Sequence, residues 1–358
     1  MKAVILVGGY GSRLRPLTSD VPKQMLQVVG LTMLERVLDQ LARFGVDEAV
    51  LSLGYLPEVF TSAYPTGEAR GIRLSYAVED EPLDTGGAIR FAAESAKLDE
   101  TFIVVNGDVL NEIDISKVVA FHHKRRALAT ISLIPVDDPS AYGVVTTDHR
   151  GRVTDFIEKP PRDQAPTNTV NAGSYVLEPE ALATFGCGER FSIERQVFPD
   201  LASRGALYAV ASSSYWIDAG TPETLLRAAM DILVGNRSNV AIPGHRRRGS
   251  LLIEGEKSLM EGRCDSVSYL GAGSVVRQGS LLRHAVIETN VVVDEDVTLV
   301  NSLVLPGAVI GRHAVIEGSI IGAGAVVPEH AVVLGGSVVA RNAELLPGCR
   351  VESERVPS

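Results

Sequence analysis

Two rules of apolar spacing divide this chain. Up to Val234, short apolar runs alternate with stretches of helical period. Ala3 to Val7 is apolar throughout, as expected of a strand buried on both faces of a parallel sheet. Leu34, Val37, Leu38 and Leu41 then recur at i, i+3, i+4 and i+7, which predicts a helix stopped by Gly45. Val46 to Leu53 reads as the next strand, and Ile72, Leu74, Tyr76 and Val78 alternate like another. Asp84-Thr85-Gly86-Gly87 opens an Ala-rich helix, Ala88 to Leu98. Thr101 to Val105 is an apolar strand ending in Asn106-Gly107-Asp108. Further strands are expected at Leu128 to Val136, Gly143 to Thr147, Val153 to Ile157 and Ser174 to Leu177, with helices at Ile193 to Arg204 and Pro222 to Val234. Strands alternating with helices imply a doubly wound α/β sheet, and such sheets bind ligands at the carboxyl ends of their strands.

Beyond about residue 236 the period changes. From Asn236 to Arg263 periodicity fades and Arg, Gly and Ser accumulate, so 237–263 is read as a linker. Ile321, Val327, Val333, Val339 and Leu345 are then six apart. The first four are each followed four positions later by a small residue: Ala325, Ala331, Ser337 and Ala343. Leu270, Val276 and Leu282 start the same rhythm, with Ser274 and Ser280 in the small positions, and the frame slips by one between Ile316 and Ile321. A period of six with small turn residues predicts a parallel β-helix of roughly four to five coils. The expected domains are 1–236, the linker, and 264–358.

At 358 residues and 45% hydrophobic content the chain has core enough for two domains. A formal net charge of −10 excludes a broad basic field, and with it general nucleic-acid binding. Any phosphate ligand must be held by local cations. His245-Arg246-Arg247-Arg248 is the one basic cluster and reads as solvated linker. Cys187, Cys264 and Cys349 are scattered and odd in number, suggesting neither disulfides nor a zinc site, so a cytoplasmic location is expected. The N-terminal apolar run is too short for a signal peptide or a membrane span.

The stretch with the clearest chemistry follows the first strand. Gly8, Gly9 and Gly11 allow a sharp turn and close approach of a ligand, and amides in such a loop make an anion site. Arg13, Arg15 and Lys23 follow. The dinucleotide fingerprint is excluded because Leu14 stands at its third glycine, and the P-loop because no Lys-Ser or Lys-Thr follows. The whole stretch, V-G-G-Y-G-S-R-L-R-P-L-T-S-D-V-P-K, resembles the signature of the sugar-1-phosphate nucleotidyltransferases. Five more motifs follow in order: Gly107-Asp108; Tyr142-Gly143-Val144; Glu158-Lys159-Pro160; Asn171-Ala172-Gly173; and Trp216-Ile217-Asp218-Ala219-Gly220-Thr221-Pro222. Together with the hexapeptide tail they are most similar to the mannose-1-phosphate guanylyltransferase branch, which Ser192-Ile193-Glu194 with Val197-Phe198-Pro199 also resembles.

The resemblance implies a Rossmann-like nucleotidyltransferase domain followed by a left-handed parallel β-helix. It implies Mg²⁺-dependent transfer of a nucleotidyl group, GMP from GTP for preference, to a sugar 1-phosphate. Arg13 and Lys23 would be catalytic. Leu6, Gly8, Gly9, Gly11, Ser12, Glu79, Asp84 and Thr85 would complete the nucleotide site. Gly143, Glu158, Lys159 and Asn171 would hold the sugar phosphate, and Asp108 and Asp218 the metal. Taken singly, either aspartate is an ordinary cap or turn former.

Two positions depart from the pattern. Gln24 follows Lys23 where the guanylyltransferases have Pro, a pairing more familiar from thymidylyltransferases, and Asp84 stands where they have Gly. We read Asp84 first as a helix N-cap; a carboxylate there can also accept hydrogen bonds from guanine. Other readings stay open: a guanylyltransferase for a cyclitol such as valienol 1-phosphate, a thymidylyl or other nucleotidyltransferase for glucose 1-phosphate, acyl transfer by the β-helix using His284, His313 or His330, and a non-catalytic regulatory subunit. An exposed β-helix end predicts a homo-oligomer.

Overall fold

The structure, a computed structural model, describes residues 1–237, 242, 244–255 and 257–357. Part of the expected linker, 238–241, 243 and 256, lies outside the described residues. The chain forms two compact units: Met1–Gly9 with Val37–Trp216, and Tyr10–Arg36 with Ile217–Ser358.

The first unit is built on one mixed sheet. Its strands are β1 (Lys2–Leu6), β2 (Glu48–Leu53), β3 (Ile72–Val78), β4 (Phe102–Asn106), β5 (Ala129–Pro135), β6 (Gly143–Thr147), β7 (Val153–Glu158), β8 (Thr169–Leu177) and β9 (Leu207–Ala211), in the order β9-β5-β8-β4-β1-β2-β3, with the β6–β7 hairpin against β8. β1 lies between β2 and β4, parallel to both, with Ile5 opposite Leu51 and Val105. Covered on both sides, it must be apolar throughout, which is why its sequence is a run and not an alternation. β8 is antiparallel to β4 and β5, so the sheet is parallel only in part.

Its helices are α1 (Met33–Arg43, which starts in the second unit), α2 (Pro57–Ala63), α3 (Asp84–Ser95), α4 (Ile115–Arg125) and α5 (Phe198–Ser203). One face of the sheet closes over Tyr175, Phe102, Phe191 and Phe198, all buried. Two expectations shift here. Ile193 to Arg204 is not one helix: a π-helical turn, Ile193–Val197, precedes α5, and Pro199 at the junction cannot donate the bond a continuous α-helix needs. β8 begins five residues earlier than expected because a register shift between Asn171 and Tyr175 breaks the alternation that marks a strand.

The second unit joins Tyr10–Arg36, α6 (Pro222–Val234) and three parallel sheets that wind as the left-handed β-helix. α6 opens on a Thr221/Thr224 capping box and ends on left-handed Gly235. Successive coils pair with an offset of 17 residues, Leu282 with Leu299 and Ile287 with Val304. At the far end the offset is 18, as in Ile321 with Val339. The one-residue slip is thus a shortened corner repeated in each 17-residue coil. The predicted inward residues form the buried core, among them Leu270, Val276, Leu282, Ile321, Val327, Val333 and Val339.

The small positions have a second job. Ser274 donates to Glu288 O (2.6 Å) and accepts from Val291 N (2.9 Å), and Ser280 does the same with Asp294 O and Val297 N, so buried hydroxyls stitch coil to coil. His284, His313 and His330 occupy left-handed corners (φ 49°, 58° and 59°), a conformation in which histidine is several-fold enriched. The parallel ladder already starts at Leu251–Glu254, and the exposed strand His245–Arg248 pairs antiparallel to it, charges covering a sheet edge.

Candidate active site

In the first unit the ends of β1 and β4 share one level, with Leu6 opposite Asn106, and Gly107 N donates to Leu6 O (3.0 Å). Gly8-Gly9 and Gly107-Asp108 therefore emerge side by side at the carboxyl edge of the sheet. Gly8 backs onto Gly54; a Cβ on it would lie 3.3 Å from Gly54 N. Glu79 anchors the next loop, taking the Ser52 hydroxyl on one carboxylate oxygen (3.0 Å) and the Leu83 amide on the other (2.9 Å).

The N-cap reading of Asp84 fails. Leu83 is the capping residue, and Asp84 lies inside the first turn of α3, exposed and left-handed at φ 61°, its carboxylate on the Thr85 amide (2.8 Å). A glycine is expected at such a φ; here an aspartate, one of the few side chains that tolerate it, takes the place. Gly86 and Gly87 both donate to Phe191 O (2.9 and 3.1 Å), and a Cβ on Gly86 would lie 2.4 Å from the Phe191 ring. The Thr85 hydroxyl donates to Glu194 Oε2 (2.5 Å) and accepts from Ile193 N (3.1 Å).

The sugar-phosphate candidates gather on the β6–β7 hairpin and β8. Gly143 pairs with Glu158, and a Cβ on it would meet the Phe156 ring at 2.6 Å and Glu158 Oε2 at 3.1 Å. Lys159, at φ 49°, is pinned by its amide to Tyr142 O (3.1 Å) and places Nζ 3.3 Å from Glu158 Oε1. Asn171 donates to the Tyr175 hydroxyl (3.0 Å) and accepts from Gly173 N (3.1 Å).

Tyr175 and Glu194 were not among the predicted site residues. Burial pushes the Tyr175 phenol well up, with the charge on Glu194 adding to it. Burial also raises the Glu194 carboxyl, against hydrogen bonds from Thr85 and Ser192, and the charge on Glu158 adds to the rise. The Ser192-Ile193-Glu194 motif was the signal available for Glu194; Tyr175 looks like any core aromatic.

In the second unit the Ser12–Leu14 turn follows left-handed Gly11, whose carbonyl accepts from the Thr18 hydroxyl (2.8 Å). It carries Arg13, whose Nη2 lies 3.3 Å from Asp218 Oδ2; the other Asp218 oxygen accepts from Gly220 N (2.9 Å). A Cβ on Gly220 would sit 2.5 Å from Arg13 Nη2 and 2.7 Å from Asp218 Oδ1, so the pair can form only against a glycine. Lys23 opens the Lys23–Met25 turn after Pro22. Gln24, the residue that departs from the pattern, is buried at 1% exposure.

As hard oxygen donors, the carboxylates of Asp108 and Asp218 are each of the kind that suits a divalent cation. Among the described residues no cluster of three His, Cys, Asp or Glu side chains could hold a metal. Hard divalent cations are also bound through one or two carboxylates, with substrate oxygens and water completing the shell. Among the described residues no helix is long and apolar enough to cross a membrane.

A glycine turn and a Glu-Lys hairpin on the sheet of the first unit, and an arginine–aspartate pair in the second, define a class of protein. The Nucleotidyl transferase family model matches residues 2–235, and the chain belongs to that family; a model described as the GMPPB C-terminal domain matches 267–358. Relatives include a mannose-1-phosphate guanylyltransferase of Mycobacterium tuberculosis, 38% identical over 80% of this chain and 79% of its own. Mannose-1-phosphate guanylyltransferase 1 of Arabidopsis thaliana is 33% identical over 87% and 88%. HddC from Yersinia pseudotuberculosis, solved also with GMP-PN, aligns at TM-score 0.56 and 31% identity, covering 64% of this chain and 99% of that one. This protein is a sugar-1-phosphate nucleotidyltransferase. Its family generally works with a divalent metal.

Proposed function

We propose that the enzyme transfers GMP from GTP to mannose 1-phosphate, releasing pyrophosphate and forming GDP-mannose. The observation that carries this reading is similarity to mannose-1-phosphate guanylyltransferases across both the sheet and the β-helix. A phosphate oxygen of the sugar phosphate attacks the α-phosphorus in line, so positioning and charge do the catalysis. In this reading Leu6, Gly8, Gly9, Gly11, Ser12, Glu79, Asp84 and Thr85 frame the nucleotide, Lys23 steadies its α-phosphate, and Arg13 the departing pyrophosphate. Gly143, Glu158 and Asn171 hold the sugar, and Lys159 brings its phosphate in against the repulsion of like charges. Asp108 and Asp218 would hold Mg²⁺, which when bound supplies positive charge to the phosphate oxygens. We place the transferase domain at 1–236 and the β-helix domain at 264–358, extended back by the ladder strand Leu251–Glu254, and propose a cytoplasmic homo-oligomer.

A second reading rests on Asp84, whose exposed carboxylate stands where the resemblance expects glycine. It would give the enzyme another base or a cyclitol phosphate as substrate. Pyrophosphate release with Mg²⁺, four nucleoside triphosphates and a panel of hexose and cyclitol 1-phosphates tests both. GTP with mannose 1-phosphate as the best pair supports the first reading. A different best pair overturns it in favour of the second.

A further inference from the structure

Arg13 and Lys23 lie on Tyr10–Arg36, which forms one compact unit with Ile217–Ser358. Three ties fasten this segment to the β-helix. Arg355 donates to Arg15 O (3.0 Å), and Arg341 Nε lies 3.5 Å from Asp20 Oδ2. The third tie is buried. Downstream of Lys23 the chain makes a small hairpin, Gln27 bridging Thr32 and Val28 N donating to Leu31 O (2.7 Å). Its two tip residues, Val29 and Gly30, are both left-handed, at φ 57° and 80°. Turns of this mirror-image type favour Asn-Gly, and a β-branched residue at positive φ is a true outlier.

One carboxylate from the β-helix takes both amides of the turn. Glu288 Oε1 accepts from Val29 N (2.7 Å) and Oε2 from Gly30 N (3.0 Å). The carbonyls of Val28 and Val29 take Arg36 Nε and Nη2 (2.6 and 2.5 Å). Glu288 is 0% exposed and Arg36 4%. Glu288 is itself fixed by its coil, its amide on Val304 O (2.9 Å) and its carbonyl under the Ser274 hydroxyl. A buried carboxylate is costly unless fully hydrogen-bonded, and strained backbone persists only where its surroundings over-determine it. Both conditions meet at this turn, and it connects directly to the phosphate-binding segment: Met33 N donates to Leu26 O (3.1 Å), the residue that ends the Lys23–Met25 turn.

We propose that Glu288 is a positioning residue for nucleotidyl transfer. Through the Val29–Gly30 turn it fixes the segment that carries Lys23, and so makes the β-helix part of the catalytic apparatus. The proposal rests on the reading of Lys23 as a nucleotide-phosphate ligand given above.

The test uses the full-length enzyme with Glu288→Gln, which accepts one amide and sets an NH₂ group against the other. Hydrogen exchange at Val29 and Gly30 should accelerate. The kcat/KM for the nucleoside triphosphate should fall about tenfold or more, as expected for a lost charged hydrogen bond, with KM for the sugar phosphate unchanged. Val29→Gly removes the left-handed strain, so alone it should leave kinetics near wild type, and combined with Glu288→Gln it should restore most of the loss. If Glu288→Gln does not fold, Glu288→Asp, which keeps the charge but retracts it, takes the same measurements. Nucleotide kinetics within about twofold of wild type despite faster exchange overturn the proposal. So does an equal loss for both substrates that Val29→Gly fails to rescue. Lys23→Ala measured alongside separates the two ideas: an unchanged nucleotide KM and kcat there removes the reading of Lys23, whereas unchanged kinetics in the Glu288 variants alone remove the positioning role.

Discussion

Gly220→Ala isolates one geometric requirement. The added Cβ would lie 2.5 Å from Arg13 Nη2 and 2.7 Å from Asp218 Oδ1, where ordinary contact begins at 3.4 Å. Gly220 is not in the left-handed region, so alanine brings no backbone strain and the effect comes from the methyl alone. Arg13 is more than half exposed (58%) and can swing away; Asp218, at 16%, has less room. Losing an ion pair exposed on one side costs at most about 1 kcal/mol, and mild overpacking about as much again, so unfolding stability should drop by about 1–2 kcal/mol. Catalysis should suffer more. Both groups must retreat by about 1 Å, and a misplacement of that size costs on the order of 10²-fold in rate. Urea denaturation and steady-state pyrophosphate release on the same preparation measure the two effects. A variant with near wild-type kcat would refute the requirement that Arg13 and Asp218 be held together. A variant that unfolds would assign the glycine to folding instead.

Other expectations follow from single positions. Gly143→Ala should raise KM for the sugar phosphate by about tenfold, because its methyl displaces the Phe156 ring and the Glu158 carboxylate together; unchanged KM would place the sugar elsewhere. Lys159→Ala should lower kcat/KM on the order of 10²-fold, read in the same assay as the loss of one charge-stabilising group. The Glu194 carboxyl is raised by burial, so the folded state holds its proton where the unfolded state releases it. Its contribution to stability is present below the ordinary carboxyl value of 4.5 and is lost as pH rises through the raised folded value. Urea midpoints for wild type should therefore fall relative to Glu194→Gln across that window, and parallel pH profiles would contradict this. In the β-helix, Ile316→Ala should cost about 2–5 kcal/mol in denaturant unfolding, since its side chain is fully buried.

Much of this architecture was written in residue periodicity. The runs of β1 and β4 follow from burial on both faces, and the six-residue rhythm follows from one inward side chain per flat face. Both are local consequences of where water is excluded. α4 was not legible, because its buried side is Ile115, Val118 and His122, and an inward histidine hides the apolar stripe. That histidine is accommodated only by partners distant in sequence, with Nδ1 2.9 Å from Thr130 and Nε2 3.0 Å from Glu178. The candidate site divides in the same way. Arg13 and Lys23 could be proposed from the chain, because cations after a glycine-rich strand end are a chemical signal in themselves; Asp108, Lys159 and Asp218 could be proposed only through the family motifs that they resemble. Tertiary structure alone decided that Gly220 makes room for Arg13 beside Asp218, that Asp84 is left-handed and not a cap, that Gln24 is buried, and that Glu288 holds a turn 258 positions earlier. Each depends on which distant backbone comes within hydrogen-bonding or van der Waals distance. Spacing along a chain records the solvent each residue faces, but a contact between remote residues exists only once the fold has brought them together.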